Sequence, residues 1–186
     1  MNLSENVEFG ILGVGAIIEC EIEGISHILI QNRIRLDDAT QNHLIEVPCG
    51  KVRSQQNIFE TLRYRVKEET GLIVTQIEGQ GGIYEEHPAY IIQSGAPFCV
   101  CQNIEKSFPV CILFFICKAD AGEKLINSEA ATDIRWITLT DLKQKLDNEE
   151  SLFFPFVLEA LKKYITYKNT GSRGSKLEAA MKYAQN

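Results

Sequence analysis

Two adjacent acids, Glu68 and Glu69, end a predicted helix and lie close in sequence to an arginine. Asn57 suits the N-cap of that helix, and Gly71 suits the left-handed position that closes it. Arg65 precedes the acids by three and four residues, so the three side chains share one flank of the helix. Two carboxylates can supply the oxygen ligands that a divalent cation needs. An ordinary amphipathic helix with a solvated acidic end has the same local pattern.

The elements around the acids are predicted to hold them in place. At 100° per residue, Phe59, Leu62 and Val66 form an apolar stripe that would pack the helix against the body of the domain. A tight turn at residues 48–50 and a polar loop precede the helix. The sequence therefore predicts that a loop and a helix together present two carboxylates beside one arginine.

This stretch resembles the Nudix box, whose pattern is G-x5-E-x7-R-E-U-x-E-E-x-G-U, where U is an aliphatic residue. The residues that agree with the pattern are Gly50, Val66, Glu68, Glu69, Gly71 and Leu72. Three positions depart from it: Gln56 replaces the first glutamate, Tyr64 the arginine, and Arg65 the glutamate that follows. The preceding V-P-C-G-K-V is similar to the P-G-G-K that leads into the box. The resemblance covers roughly residues 10–165.

The resemblance implies a hydrolase that uses Mg²⁺ or Mn²⁺ to cleave a nucleoside diphosphate linked to another group. Glu68 and Glu69 would be metal ligands and catalytic residues, and Gly50 and Lys51 would bind substrate. Arginine keeps its proton and has no acceptor, so Arg65 cannot replace a carboxylate as ligand or base. We expect Arg65 to pair with one of the two acids as a built-in counter-ion, leaving weak or altered activity. The alternative is a catalytically inactive sensor domain for a nucleotide-like metabolite, without the metal.

With a box altered in this way, a catalytic base would come from outside it. The candidates are Glu85, Glu86, Glu129 and Asp133. Glu129 belongs to an acidic loop that, by the resemblance, supplies a ligand or base in some family members; plain solvation of the loop is the alternative.

The least regular part of the chain is residues 83–107, and a loop of that length is often functional. By the resemblance, this region helps to select the substrate. Tyr84, Tyr90 and Phe98 could stack on a base or cover a pocket there, although packing in the core is an equal alternative.

The charge of the chain is unevenly distributed. Residues 161–186 carry six Lys or Arg and one Glu, a net charge of +5. Because the whole chain has a net charge of −6, the rest of the chain carries −11. An acidic body disfavours general nucleic-acid binding. We expect the basic tail to dock on the acidic body or on a partner subunit, as in a homodimer.

The length and composition predict one domain in a reducing compartment. Cys20, Cys111 and Cys117 lie in apolar strand patterns as free thiols, which favours the cytoplasm. The Cys99-x-Cys101 pair is a weak metal signal, because zinc needs about four ligands. The apolar runs are too short to span a membrane, and no secretory signal is visible.

Apolar alternation predicts strands at 13–23, 27–31 and 44–47, another at 72–82, and a central strand covered on both faces at 109–118. A short helix opened by Thr140 and a longer one starting at Pro155 follow. With the resemblance, these elements predict an α/β/α sandwich with a mixed β-sheet. We expect a Nudix-like domain over residues 1–168, and a hinge at 171–174 with a C-terminal helical arm within 169–186.

Overall fold

The computed structural model describes residues 10–34, 42–54, 56–87, 89–105, 109–120, 125, 128 and 131–183, and the side chains of these residues except 86, 87 and 171–183. The strands are β1 (Ile11–Ile22), β2 (Ile25–Arg33), β3 (Ile45–Glu46), β4 (Cys49–Lys51), β5 (Ile73–Ile77), β6 (Gln80–His87), β7 (Tyr90–Gly95), β8 (Cys99–Gln102), β9 (Val110–Asp120) and β10 (Ala131–Thr138). The helices are α1 (Ile58–Thr70), α2 (Leu139–Asn148) and α3 (Pro155–Tyr183).

Eight of these strands form one mixed sheet. Its main path is β10-β2-β1-β9-β5, while β3, β4 and β8 pair with β2, β1 and β9 respectively. β1 and β9 run parallel, and the other neighbouring strands in this sheet run antiparallel. β9 contributes side chains to the core on both faces of the sheet, as its uniformly apolar sequence predicts.

Helices cover both faces of the sheet. The stripe of Phe59, Leu62 and Val66 packs α1 on one face, where it joins residues of β1 and β9. α2 and α3 pack on the other face through a second core cluster. This three-layer arrangement around a mixed sheet confirms the predicted α/β/α sandwich.

The ends of α1 also confirm the prediction from sequence. Asn57 Oδ1 accepts hydrogen bonds from the backbone N–H groups of Phe59, at 2.8 Å, and Glu60, at 3.2 Å. Gly71 has a φ of 79°, a left-handed conformation that glycine adopts without steric cost. The helix is therefore fixed in length, and its last turn presents the acid pair.

The described residues of segment 83–107 do not form the irregular loop that the sequence predicted. It contains most of β6 and all of β7, which form a separate antiparallel hairpin, and β8, which joins the main sheet. The apolar side chains of the hairpin are exposed: Ile83, Tyr84, Tyr90, Ile91 and Ile92. Because no buried face imposes an alternation on the hairpin sequence, period-2 patterning does not reveal it.

Two predictions about the later helices need correction. α2 begins at Leu139, not at Thr140, because Thr138 leaves β10 in an extended conformation and its hydroxyl accepts from the N–H of Asp141 at 3.1 Å. α3 begins at Pro155 as predicted. Its backbone stays helical through residues 171–174, so the predicted hinge is not a break in the helix. The domain boundary at residue 168 stays a prediction.

Within the ranges of residues described above, no helix combines the length and the apolar character needed to cross a lipid bilayer.

Candidate functional site

The tight turn predicted at residues 48–50 is instead mostly strand β4 (Cys49–Lys51), whose pairing with β1 places it against α1. Gly50 of β4 pairs with Val14 of β1, and the side chain of Arg65 lies across Gly50. A Cβ built on Gly50 would come within 2.6 Å of both Cγ and Cδ of Arg65. Real Cβ atoms do not approach other heavy atoms so closely, so only glycine allows Arg65 this position. A role for Gly50 in substrate binding stays a prediction. The contact shows that the side chain of Arg65 covers Gly50.

Arg65 pairs with the first acid of the pair. Its Nη1 lies 2.6 Å from Oε2 of Glu68, one helical turn later. The hydroxyl of Tyr64 donates a hydrogen bond to Oε1 of the same carboxylate at 3.1 Å. Both oxygens of Glu68 therefore have donors, although its side chain remains 42% exposed. The sequence predicted that Arg65 pairs with one of the two acids, and in the structure its partner is Glu68.

The second acid has a different environment. Glu69 is 4% exposed and accepts a hydrogen bond of 2.7 Å from Nε2 of Gln31 on β2. The same Nε2 lies 3.3 Å from Oε1 of Glu46, so one amide group bridges two buried carboxylates. Burial raises the pKa of Glu69 to about 8. The nearby charge of Glu46 adds to this increase, while Gln31, Arg65 and the backbone of Cys49 oppose it.

Glu46 has its own positive partner. Nη1 of Arg33 lies 2.9 Å from its Oε2, and the Arg33 guanidinium carbon lies 4.3 Å from the centre of the Phe154 ring. Burial raises the pKa of Glu46, and the charge of Arg33 opposes that increase. Oε1 of Gln31 and Nε of Arg33 are buried and have no hydrogen-bond partner among the described residues.

Sequence reasoning missed this buried polar cluster of Gln31, Arg33, Glu46 and Glu69. A signal was present: Gln31 and Arg33 occupy alternate positions of an apolar strand, and Glu46 interrupts the apolar run L-I-E-V. Such positions point inward, where polar side chains need partners.

In the arrangement observed, the side chains at the acid pair do not fit a magnesium site. Mg²⁺ takes oxygen ligands in near-octahedral geometry, usually one or two ionised carboxylates with waters and substrate phosphates. Both oxygens of Glu68 already accept from protein donors, and burial favours the protonated form of Glu69. Gln56 stands in place of the first glutamate of the box. Its side-chain oxygen accepts from the backbone N–H of Arg53 at 3.3 Å and lies 3.4 Å from Oγ1 of Thr61. In the described part of the chain, no three His, Cys, Asp or Glu side chains converge as metal ligands.

The β6–β7 hairpin lies beside α1 and carries two of the predicted substrate-binding residues. Nδ2 of Asn57 donates to Oε1 of Gln93 at 2.6 Å, which fixes the hairpin at the start of the helix. Tyr84 and Tyr90 are 49% and 63% exposed on this hairpin. Lys51, at the end of β4, is also exposed.

Phe98 lies elsewhere. Its ring packs on Tyr164 and Tyr167 of α3, at centroid distances of 6.2 and 5.5 Å. Phe98 is partly buried and packs against the core cluster on the sheet face opposite α1. The structure therefore places Phe98 in the packing role that the sequence left open, and does not bring it to the acid pair.

The structure describes the side chains of two of the four candidate bases, Glu85 and Asp133. Asp133 has a φ of 50° at a bulge of β10, and its carboxylate pairs with Nη1 of Arg135 at 2.5 Å. Glu85 is exposed on β6. Glu129 and the side chain of Glu86 lie outside the described part of the structure.

Comparison with known proteins identifies the architecture. The family model described as "NUDIX domain" matches residues 12–156, more than half of the chain. No curated protein is similar enough in sequence to match it.

Solved structures with the same fold share little sequence with this chain. An Ap4A hydrolase from C. elegans, in a binary complex, is 17% identical with a TM-score of 0.56, over 86% of this chain and 98% of that one. The NUDIX domain of Shewanella oneidensis NrtR, complexed with ADP ribose, is 13% identical with a TM-score of 0.58, over 84% and 87%. A NUDIX hydrolase from Nitrosomonas europaea is 14% identical with a TM-score of 0.60, over 88% and 74%.

Proposed function

The chain belongs to the Nudix family, and on that premise we propose that it hydrolyses a nucleoside diphosphate linked to another group, with weak or altered activity. The observation that carries the second half of the proposal is the contact of 2.6 Å between Arg65 Nη1 and Glu68 Oε2. This ion pair occupies an acid that the box would otherwise offer to a cation.

The ion pair opposes cation binding in two ways. It engages Oε2 of Glu68, whose Oε1 accepts from Tyr64, and it leaves a fixed positive charge beside the carboxylate. At an effective dielectric constant of about 20, two like unit charges about 4 Å apart repel by about 4 kcal/mol, and a divalent cation is repelled more strongly. The pair itself adds only about 0–1 kcal/mol to the stability of the fold, because both side chains are partly exposed. Its main effect is therefore on the affinity for the metal.

Other residues support binding of the nucleotide part. The exposed rings of Tyr84 and Tyr90 lie on a hairpin beside α1, where an aromatic face can stack on a base. Lys51 offers a positive charge to a phosphate next to Gly50. The bound ADP ribose in the Shewanella domain, which has the same fold, supports this ligand class.

A second candidate function is favoured by the same ion pair. If Arg65 excludes the metal completely, the domain keeps its fold but loses hydrolysis. It would then bind a nucleotide-like metabolite as a sensor. The two functions share the ligand and differ in turnover.

A turnover screen separates them. The protein is incubated with nucleotide sugars, dinucleotides, ADP-ribose and nucleoside triphosphates in the presence of Mg²⁺ or Mn²⁺, and phosphate products are measured. Slow turnover that is lost in Glu68→Gln and Glu69→Gln, but kept in the control Glu60→Gln on the first turn of the same helix, supports the enzyme. An increase in Tm with a ligand but no product supports the sensor. Neither turnover nor ligand-dependent stabilisation across the panel would contradict both.

A further inference from the structure

The β6–β7 hairpin presents large apolar side chains to solvent, outside the main sheet. Ile83, Tyr84, Tyr90, Ile91 and Ile92 are 59%, 49%, 63%, 77% and 52% exposed. From the areas that such side chains bury when they are fully covered, their exposed surface amounts to about 500 Å². A contiguous apolar surface of this size on a folded domain commonly marks a site of interaction.

The hairpin is held firmly at the end that joins the domain. Nδ2 of Asn57 donates to Oε1 of Gln93 at 2.6 Å, and the backbone N–H of Ala96 donates to the carbonyl of Gly79 at 2.8 Å. A surface that is already ordered loses little conformational entropy when a partner docks on it. The hairpin is therefore a preformed platform.

Strand β7 has a regular edge without the usual protection. Among the described strands it pairs only with β6, and both irregularities of that pairing add their extra residue to β6. The sequence of β7, Y-I-I-Q-S-G, has no charge and no proline. By contrast, β6 carries Glu85 and Glu86, and the edge strand β10 has a bulge and the ion pair of Asp133 with Arg135. Charges, prolines and bulges are the devices that keep an edge strand from pairing with another chain.

We propose that β7 pairs antiparallel with β7 of a second copy of this chain, so that two hairpins join into one four-stranded sheet. Two identical edge strands that are related by a two-fold axis perpendicular to the sheet run antiparallel, as this pairing requires. Each copy has a net charge of −6, so contact between copies is favoured at a strand that carries no charge.

The size of the apolar surface also fits a second copy. A standard interface buries about 800 Å² per partner, and about 65% of a homodimer interface is apolar. The exposed apolar surface of the hairpin is close to that share. In the joined sheet, side chains on adjacent strands stand about 4.5–5.5 Å apart, so the apolar side chains of one β7 pack on those of the other.

The proposed dimer leaves the tyrosine face of the hairpin open. Tyr84 lies opposite Ile92, and Tyr90 is two residues before Ile92, so these three side chains share one face. A two-fold axis perpendicular to the sheet keeps that face on the same side in both copies. The tyrosines of the two copies then lie on one continuous surface. The inference depends neither on hydrolysis nor on the state of the acid pair.

The test uses the full-length protein in sedimentation velocity and in amide hydrogen exchange, each over a series of protein concentrations. We expect a concentration-dependent dimer, and amides of residues 90–95 that exchange about tenfold more slowly in the dimer than in the monomer. Ile91→Lys should raise the Kd of the dimer by about tenfold or more, because the symmetric contact brings two like charges together.

Ile25→Lys is the matched control, because Ile25 is a 54% exposed isoleucine at the end of the β1–β2 hairpin and the change of charge is the same. It should leave the Kd of the dimer unchanged, and circular dichroism checks the fold of both variants. An equal effect of the two substitutions overturns the proposal, as does a chain that stays monomeric up to about 1 mM.

Hydrogen exchange of the unsubstituted protein decides the question without any variant. Protection of residues 90–95 that does not change with protein concentration would mean that β7 is covered within one copy, which overturns the proposal. A dimer that leaves the exchange of residues 90–95 unchanged would place the contact elsewhere and overturns it equally.

Discussion

The guanidinium of Arg65 and the carboxylate of Glu68 lie one helical turn apart on α1 and meet through Nη1 and Oε2 at 2.6 Å. The stem of the arginine rests on Gly50 of β4, so the pair is held by a strand on one side and by the helix on the other. A positive side chain is thus fixed beside the acid that the box presents.

Replacing Arg65 with glutamate should raise the affinity for Mn²⁺. The change removes the ion pair and adds a carboxylate one turn before Glu68. We expect the Kd to fall by about tenfold or more, which is about 1.4 kcal/mol, as measured by titration calorimetry. The control is Arg63→Glu, which makes the same change of charge on the same helix, at a side chain that bonds Gln80 instead. An equal gain in both variants would mean that net charge, not the contact with Glu68, sets the affinity.

Replacing Gly50 with alanine should displace Arg65. The new Cβ would overlap the stem of the arginine, so we expect the free energy of unfolding to fall by about 1–3 kcal/mol in urea denaturation. In an Arg65→Ala background the same substitution should cost much less, because the two residues are in contact. Gly82→Ala, where a Cβ would meet no atom within 4 Å, is the control. An equal cost of Gly50→Ala in both backgrounds would refute a clash with Arg65.

Replacing Glu69 with glutamine should change how stability depends on pH. The native pKa of Glu69 is about 8, above its ordinary value of 4.5, so the folded state binds this proton more tightly than the unfolded state. Its contribution to stability is therefore lost as the pH rises from about 4.5 to about 8. Glutamine does not ionise, so thermal unfolding between pH 5 and pH 8, in buffer with a chelator, should favour the variant progressively, by about 3 kcal/mol at the upper end.

Glu69→Asp is the control for that pH series, because it keeps an ionisable carboxyl at the same place and should keep the decline in stability. If the stability of Glu69→Gln and that of the unsubstituted protein changed with pH in parallel, Glu69 would be ionised at little cost in the folded state.

Replacing Tyr164 with phenylalanine should loosen α3 from the sheet. The buried hydroxyl of Tyr164 donates to Oε1 of Glu19 on β1 at 2.7 Å, beside the contact of 2.6 Å from Lys168. A hydrogen bond to a charged group contributes about 1.5–3 kcal/mol, and we expect that loss in the free energy of unfolding. Tyr167→Phe, on a half-exposed ring of the same helix, should change it by less than about 0.5 kcal/mol. Similar values for the two variants would argue against a role for the hydroxyl.

The sequence by itself determined the features that depend on neighbouring residues. Asn57 caps α1 and Gly71 closes it because the geometry of a helix end depends on a few consecutive residues. The pairing of Arg65 with an acid of the last turn follows in the same way, since residues three or four apart meet on a helix whatever surrounds it. The apolar stripe of α1 and the central strand β9 could be predicted because burial imposes a period on the sequence.

Only the tertiary structure decided the environment of Glu69. Gln31 lies 38 positions before it, and reaches both Glu69 and Glu46 because β2 pairs with β3 in the register that sets Gln31 opposite Glu46. Strand register and the docking of α1 depend on packing across the whole sheet, which no short pattern encodes. The same physics separated Phe98, which is partly buried against α3, from Tyr84 on the exposed hairpin, although the two belong to one stretch of sequence.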